Sequence, residues 1–410
     1  MPRQKGSLNK KKNTTLKVLN FDRQIDGSAI NKVSTFGWIN WGENNDYPDL
    51  LLSLYNQSPT HHAAIQFALQ AVIGDGVDYD AMSMDSSQLV PNPNETWDEL
   101  LKNLTLDYLL FGSFAIEIIA GKGGNYYNFY HVPLHKVRWA EFDENGKIPG
   151  YYISSDWTST SLNPPEYIDA FDMEDEYSIE VGKPYLYVYK SYTPTQQYYT
   201  SPHYIAGLQA IQAEVQHILY DLKTTTNSFI PSGMLVLPEM EQEADKQAVL
   251  REISKMFQGS SNANALMTVF RSNVDENKPE FIPFAANVGN VNLFEASNLR
   301  TQARILAAHS IPDASLCGLP AIGNNGFASE AAKLETGYKV YLKLTGINNR
   351  NTILKTINFM LGMNGIDTEI ILKPFSFDLD DNEIKTENKP ANESVDEEIN
   401  NDLENTEDIK

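Results

Sequence analysis

The sequence predicts an α+β fold built in more than one unit, and three observations carry that expectation. The hydrophobic period alternates along the chain between helical spacing and a period of two. Two helical stretches with narrow apolar seams bracket a short strand-rich segment. At 410 residues the chain also exceeds the size at which a single core keeps growing.

The first helical stripe lies within Leu51–Gly74. Ser58 can cap a helix with Pro59 at its first position, and Ala64, Phe67, Ala68 and Val72 form its apolar face. A second helix is predicted from Thr96, because Thr96-Trp97-Asp98-Glu99 has capping-box spacing; it runs through Leu100, Leu104 and Leu109 to Gly112. The period then becomes two. Phe114–Ala120 predicts a strand, Gly121-Lys122-Gly123-Gly124 a turn, and Tyr126–Val132 a returning strand. Val137–Phe142 and Tyr151–Ser154 flank a turn-like Asp143-Glu144-Asn145-Gly146, and Tyr185–Tyr192 alternates again. Residues 21–200 therefore predict an α+β unit with hairpins.

Helical spacing returns at residues 203–226, where Leu208, Ile211, Val215, Ile218 and Leu222 make a seam suited to lengthwise packing on another helix. Pro231, Gly233 and Pro238 bracket a strand at Met234–Leu237. A helix at Ala244–Phe257 and strands at Leu266–Phe270 and Glu280–Phe284 complete a compact α/β insertion. Ala296, Leu299, Ala303 and Leu306 form the second seam, with Arg300 and Arg304 beside it, ending at Ile311-Pro312 because a proline disfavours helical geometry in the residue before it. Gly318–Gly326 has the composition of a mobile loop. A long helix at Ser329–Leu361, kinked near Gly346, and a final strand at Glu369–Leu372 close the ordered part.

Charge narrows the function. The net charge is −22, from 54 acids against 32 bases, so a surface that grips nucleic acid throughout is excluded. Met1–Asn20 carries Arg3, Lys5, Lys10, Lys11, Lys12 and Lys17 with no acid, whereas residues 378–410 hold thirteen acids and three bases; both ends predict disordered tails. One cysteine, Cys317, rules out an internal disulfide framework and suits a reducing compartment. No signal peptide and no membrane span are expected, which predicts a soluble cytoplasmic product.

Motifs for chemistry are sparse. No phosphate-binding Gly-x-x-x-x-Gly-Lys-Ser/Thr loop exists, and Gly121–Gly124 sits between two strands rather than at a helix start. His131 and His135 are separated by Pro133, which opposes one helix face presenting both, and no third metal ligand is spaced with them. A metal-dependent hydrolase built on those two histidines is the enzyme alternative. Cys317 with His309 does not by itself assemble a nucleophile and base. Tyr185–Tyr192 with Lys183 and Lys190 fits sheet packing, with a nucleic-acid stacking face as the alternative. The expectation is a non-enzyme without cofactor or metal.

Four stretches in order resemble tailed-bacteriophage portal proteins, over most of residues 40–375. They are SPTHHAAIQFALQAVIGDG at Ser58–Gly76; LLFGSFAIEI and YHVPLHKV within Leu109–Val137; YTSPHYIAGLQAI and FIPSGMLVL within Tyr199–Leu237; and NLRTQARILAAHSIPDASLCG at Asn298–Gly318. The resemblance implies a portal-type fold. Residues 1–20 would be a basic arm, 21–200 an α/β wing, 201–226 the first stem helix, 227–290 a small α/β clip and 291–311 the second stem helix. Residues 312–328 would hold the tunnel loop, 329–377 the long helix and final strand of wing and reduced crown, and 378–410 an acidic tail. The implied function is a ring, usually of twelve subunits, at one capsid vertex of a virion assembled in a bacterial cytoplasm. Double-stranded DNA is packaged and ejected through it, and terminase, capsid or scaffold protein, and head–tail connector proteins are its partners. Gly323, Asn324, Asn325 and Gly326 would project from the tunnel loop to the DNA. Arg300 and Arg304 would make channel or intersubunit contacts. Another virion component, an adaptor or minor head protein, is the structural alternative.

Overall fold

The structure, a computed structural model, describes residues 33–376 apart from 35, 85–88, 124–125, 174–178, 195, 228–232, 239–241, 243–245, 250, 252–265, 272–279, 284–287 and 320–330. The basic arm, the acidic tail and Gly323–Gly326 therefore lie outside the described residues. The fold is mixed α+β, as the changing period predicts, and the chain divides into two units. One comprises residues 31–203 and 306–410, the other residues 1–30 and 204–305.

The first unit begins with α1 (Tyr47–Gln57) and α2 (Pro59–Ile73). Ser58 caps α2 by accepting the His61 N–H, and Pro59 occupies the first turn, where a missing N–H leaves no bond unmade. Arg350 closes the other end of α2, donating from Nε to the Val72 carbonyl at 2.8 Å and from Nη2 to the Ala71 carbonyl at 2.9 Å. Those last-turn carbonyls would otherwise lack partners, and the cation also meets the negative end of the helix dipole. In α3 (Trp97–Phe111) the capping box forms as the spacing predicts: Thr96 Oγ1 accepts the Glu99 N–H while Glu99 accepts the Thr96 N–H. Gly112 ends the helix in a left-handed conformation, φ 76°, where a Cβ would meet the Ser201 carbonyl oxygen at 2.9 Å.

Beyond that turn lies a six-stranded sheet of order β2-β1-β6-β5-β4-β3, formed by β1 (Ser113–Ala120), β2 (Tyr127–Val132), β3 (Val137–Trp139), β4 (Gly150–Ile153), β5 (Glu166–Ala170) and β6 (Pro184–Lys190). All neighbours are antiparallel except β5 and β6. Strand β5 has no counterpart in the sequence reading. Only Ile168 is buried among its five residues, so no apolar alternation marks it. The alternating faces of β1 place Phe114, Ile116 and Ile118 in a core with Trp97, Leu100, Leu101 and Leu104 of α3. The long helix closes that core. It runs as α6 (Ala331–Tyr341), one π turn at Leu342–Gly346 and α7 (Ile347–Met363), with Ile353, Ile357, Met360 and Leu361 facing inward. The irregularity near Gly346 is thus a π turn, one of the recognised causes of a helix kink.

The strand expected at Glu369–Leu372 does not form. The Ile370 N–H is taken by Asn358 Oδ1 at 2.9 Å, and the segment meets the chain after α2 through a single bridge pair, Val77 and Leu372, flanked by bonds from the Asp78 N–H to the Ile371 carbonyl and from the Lys373 N–H to the Gly76 carbonyl, each 2.8 Å. One partner bond is captured by a side chain, so no ladder propagates. At the front of the Gly318–Gly326 stretch, Ala314–Cys317 is a 3₁₀ turn capped by Asp313, and the left-handed Gly318 ends it.

In the second unit, α4 (Leu208–Asn227) leads to a three-stranded sheet and then to α5 (Val288–Ala308). The sheet has order β8-β7-β9, with β7 (Gly233–Pro238) parallel to β8 (Leu266–Arg271) and antiparallel to β9 (Glu280–Pro283). Of the helix expected at 244–257, residues 246–249 and 251 are helical and the others lie outside the described residues.

Candidate functional site

The cations singled out in the sequence lie on α5, a 21-residue helix long enough for its two faces to differ. Thr301 and Ile305 turn inward, while Arg300, Ala303 and Arg304 are exposed and Leu299 is 37% exposed. Arg300 and Arg304 are one helical turn apart, and among the described residues no ion pair holds either of them. Two guanidinium groups in that arrangement present forked donors to carboxylate or phosphate oxygens.

Helix α4 is also two-sided along its length. Leu208, Ile211 and Val215 are buried, but the same seam continues to Ile218 and Leu222, which are 41% and 59% exposed. Exposed Asp221 precedes Leu222. Periodicity reveals such a seam and cannot say which half of it is covered.

The histidines do not converge. His131 on β2 meets Asp107 of α3, Nε2 to Oδ2 at 2.8 Å, and the same carboxylate oxygen accepts the Leu134 N–H at 2.9 Å. His135 lies in the 3₁₀ turn Leu134–Lys136, its pKa lowered by burial above all. Among the described residues no group of three or more His, Cys, Asp or Glu side chains could hold a metal ion. His61 Nδ1 and His309 Nε2 are 2.9 Å apart, joining α2 to the turn after α5. Burial pushes His309 down to about 3 and holds His61 well below its ordinary value, so the pair is neutral at pH 7. His309 is thereby engaged by a ring rather than by Cys317. That thiol is pushed up to about 12 by burial and then by Asp313, which keeps it protonated.

The aromatic strand resolves as sheet packing. Tyr189 stacks on Phe114 with centroids 5.1 Å apart, Lys183 pairs with Asp169 at 2.8 Å, and Lys190 donates to the Gln197 carbonyl. Tyr187 and Tyr189 also line an open cleft of about 320 Å³ with Met173, Thr352, Lys355 and Thr356.

Sequence reasoning missed Arg138. This fully buried cation lies over the Trp157 ring at 4.7 Å and donates to the His135 and Val137 carbonyls at 2.8 and 2.9 Å. Its other bonds go to Asn45, from Nη2 to the carbonyl at 3.0 Å and from Nε to Oδ1. Burial depresses its pKa to about 10, which leaves it charged at pH 7. The available signal was an arginine inside the apolar triplet Val137-Arg138-Trp139, a position where an unpartnered charge would be costly.

Two long helices bracketing a three-stranded sheet in one unit, and a six-stranded mixed sheet in the other, define the fold class. Chains of that fold occur in gene transfer agent (GTA) particles. The protein is similar to a chain in the virion of a native GTA particle, with 16% identity and TM-score 0.52 over 88% of this chain and 90% of that one. It is similar, again at 16% identity, to a chain in the neck of the native particle computed with C12 symmetry, TM-score 0.51 over 82% and 87%. For the neck of the empty particle computed with C6 symmetry, identity is 16% and TM-score 0.54 over 83% and 87%. No protein-family model and no curated protein sequence matches. At this identity the likeness establishes the fold. Among the described residues no helix is long and apolar enough to cross a membrane.

Proposed function

We propose that this chain is the repeating subunit of a portal ring, a sleeve at one vertex of a virion through which double-stranded DNA is packaged and ejected. The observation that carries the reading is the element order, sheet unit, long helix, three-stranded insertion, long helix and π-interrupted helix, within a fold shared with GTA neck chains over more than four-fifths of the sequence. An acidic chain of net charge −22 suits a conduit, since many phosphate contacts would act as brakes. On this reading terminase docks during packaging and connector proteins afterwards, with capsid or scaffold protein around the ring. The segment holding Gly323, Asn324, Asn325 and Gly326 reaches the DNA. The ring is made in the bacterial cytoplasm and resides in the virion.

Negative-stain electron microscopy with light scattering tests this directly. Rings with a central hole and roughly twelve chain masses are expected, as the likeness to a neck computed with C12 symmetry suggests. A compact dimer carrying stoichiometric metal would sink the reading and restore the hydrolase alternative. Deleting Asn324-Asn325-Gly326 should leave rings intact while DNA filling of particles falls, and unchanged filling would remove the loop from the mechanism.

A further inference from the structure

We propose that the acidic segment 391–409 of this chain docks along the exposed face of its own long helix, on Lys339, Val340, Lys343, Leu344 and Ile347. The inference stands apart from the ring reading and gives the acidic tail a binding surface within its own subunit.

The face is basic in an acidic chain. From Ala331 to Met363 the helix carries Lys333, Lys339, Lys343, Arg350 and Lys355 against the single acid Glu335, while the whole chain has a net charge of −22. Arg350 is engaged on the α2 carbonyls. Lys339 meets Glu335 at 2.6 Å, but both side chains are more than half exposed, and such a pair is weak enough for Lys339 to be shared. Among the described residues no ion pair holds Lys333, Lys343 or Lys355. The same face is apolar. Val340, Leu344 and Ile347, spaced four and three, are 42, 68 and 45% exposed, and Lys339 and Lys343 run beside them one turn apart. A lysine row next to an apolar row suits a partner that brings carboxylates and apolar side chains together.

Residues 391–409 have that composition. They hold eight acids and no base. Within them Val395, Ile399 and Leu403 recur every four residues, the spacing of one helix face, and Ser394 with Glu397 has capping-box spacing. Docking sets that apolar row on Val340, Leu344 and Ile347 and brings its flanking carboxylates to Lys339 and Lys343.

The tether permits it. Phe375 packs against Tyr338, the residue before Lys339, with ring centroids 5.4 Å apart, and the Ser376 N–H donates to Asp75 Oδ2 at 3.0 Å. The chain therefore leaves the described residues beside the basic helix. Residues 377–394 can span about 60 Å when extended, more than the roughly 50 Å length of the whole helix. A segment tethered in this way acts at an effective concentration on the order of millimolar, which favours it over a free partner of equal affinity. DNA, the alternative occupant, offers phosphates to the lysines but no apolar side chains to the exposed row.

The test uses the full chain. Carbodiimide, which joins carboxylates to amines in contact, should link acids of 396–408 to Lys339 or Lys343 in preference to the exposed Lys102, Lys122 and Lys147. Mixing isotopically light and heavy chains separates links within one chain from links between chains. Ile399→Asn with Leu403→Asn leaves every carboxylate in place, yet it should lower the yield of those links several-fold and speed acylation of Lys343, with an unchanged circular dichroism spectrum. Links spread evenly over the exposed lysines, or links that survive the two apolar substitutions, would overturn the docking. Links found only between light and heavy chains would give the face to the tail of another copy and overturn the assignment within one subunit. Protection of Lys339 and Lys343 by short duplex DNA, with no tail links, would give the face to phosphate instead.

Discussion

Trp41, Trp139 and Tyr199 of the sheet unit are all but inaccessible to solvent, whereas Ile218, Leu222 and Leu299 on the two long helices are substantially exposed. The first group closes on itself. Trp41 stacks on Tyr199 with centroids 4.5 Å apart and meets Trp139 edge-on at 5.9 Å, and Tyr199 Oη donates to the Ile39 carbonyl. Arg138 completes that cluster by satisfying its own donors on nearby carbonyls. Each of the three rings packs against the other two inside the same unit. The second group is patterned just as regularly but is only half covered. A region that completes its own packing behaves as a scaffold, whereas the two long helices leave part of a regular apolar stripe in contact with solvent.

The contrast can be broken most severely at Trp41. Trp41→Ala should destabilise the chain by about 3–5 kcal/mol in denaturant unfolding, because it removes a buried ring and opens a cavity between Tyr199 and Trp139. A loss under about 1 kcal/mol would show that this cluster does not organise the unit. Asp107→Ala comes next, at roughly 1–3 kcal/mol, since it strands the buried Leu134 N–H and releases His131. An unchanged midpoint would mean that water replaces the carboxylate at no cost.

Acid should sharpen the comparison by a similar or smaller amount. The folded pKa values of His61 and His309 lie below the ordinary 6.5, so protons bind the unfolded chain more readily. Their neutral pairing contributes fully above pH 6.5, and that contribution is lost as pH falls from there towards about 3. Between pH 6.5 and 5 the loss should be on the order of 1–2 kcal/mol for His309. Replacing it by Gln should flatten the pH dependence of the unfolding midpoint over that interval; an equally steep profile would place the acid sensitivity elsewhere. The smallest effect is expected on the open stripe. Leu222→Ala should change the stability of the isolated chain by no more than about 0.5 kcal/mol. A loss near 2 kcal/mol in monomer would mean that Leu222 is covered within the chain, erasing the contrast.

Much of the architecture was legible from local signals. The Ser58 cap with Pro59, the Thr96–Glu99 capping box, the β1–β2 hairpin and the seams of both long helices each depend on residues a few positions apart, and each formed where the spacing put it. Strand β5 was not legible, because its place beside β6 depends on a partner distant in the chain and it buries only Ile168. The expected strand at Glu369–Leu372 failed for the complementary reason: β-rich residues do not make a ladder when Asn358 takes one of their N–H groups. Among the candidate site residues, Arg300 and Arg304 stood out through their place beside the seam. Arg138 did not, although it is the more deeply engaged arginine.

The sequence by itself determined the α+β class, most of the order of helices and strands, the two apolar seams and the strong acidic surplus. Periodicity, capping and composition are local or additive properties, and they survive without knowledge of neighbours. Only the tertiary structure decided that Arg138 is a buried cation held by carbonyls and indole rings, that His131 serves Asp107 and His309 serves His61, and that the seams of α4 and α5 are covered over just part of their length. Burial is set by which distant segments come together, and a side chain's charge, partner and exposure follow from that meeting rather than from its place in the chain.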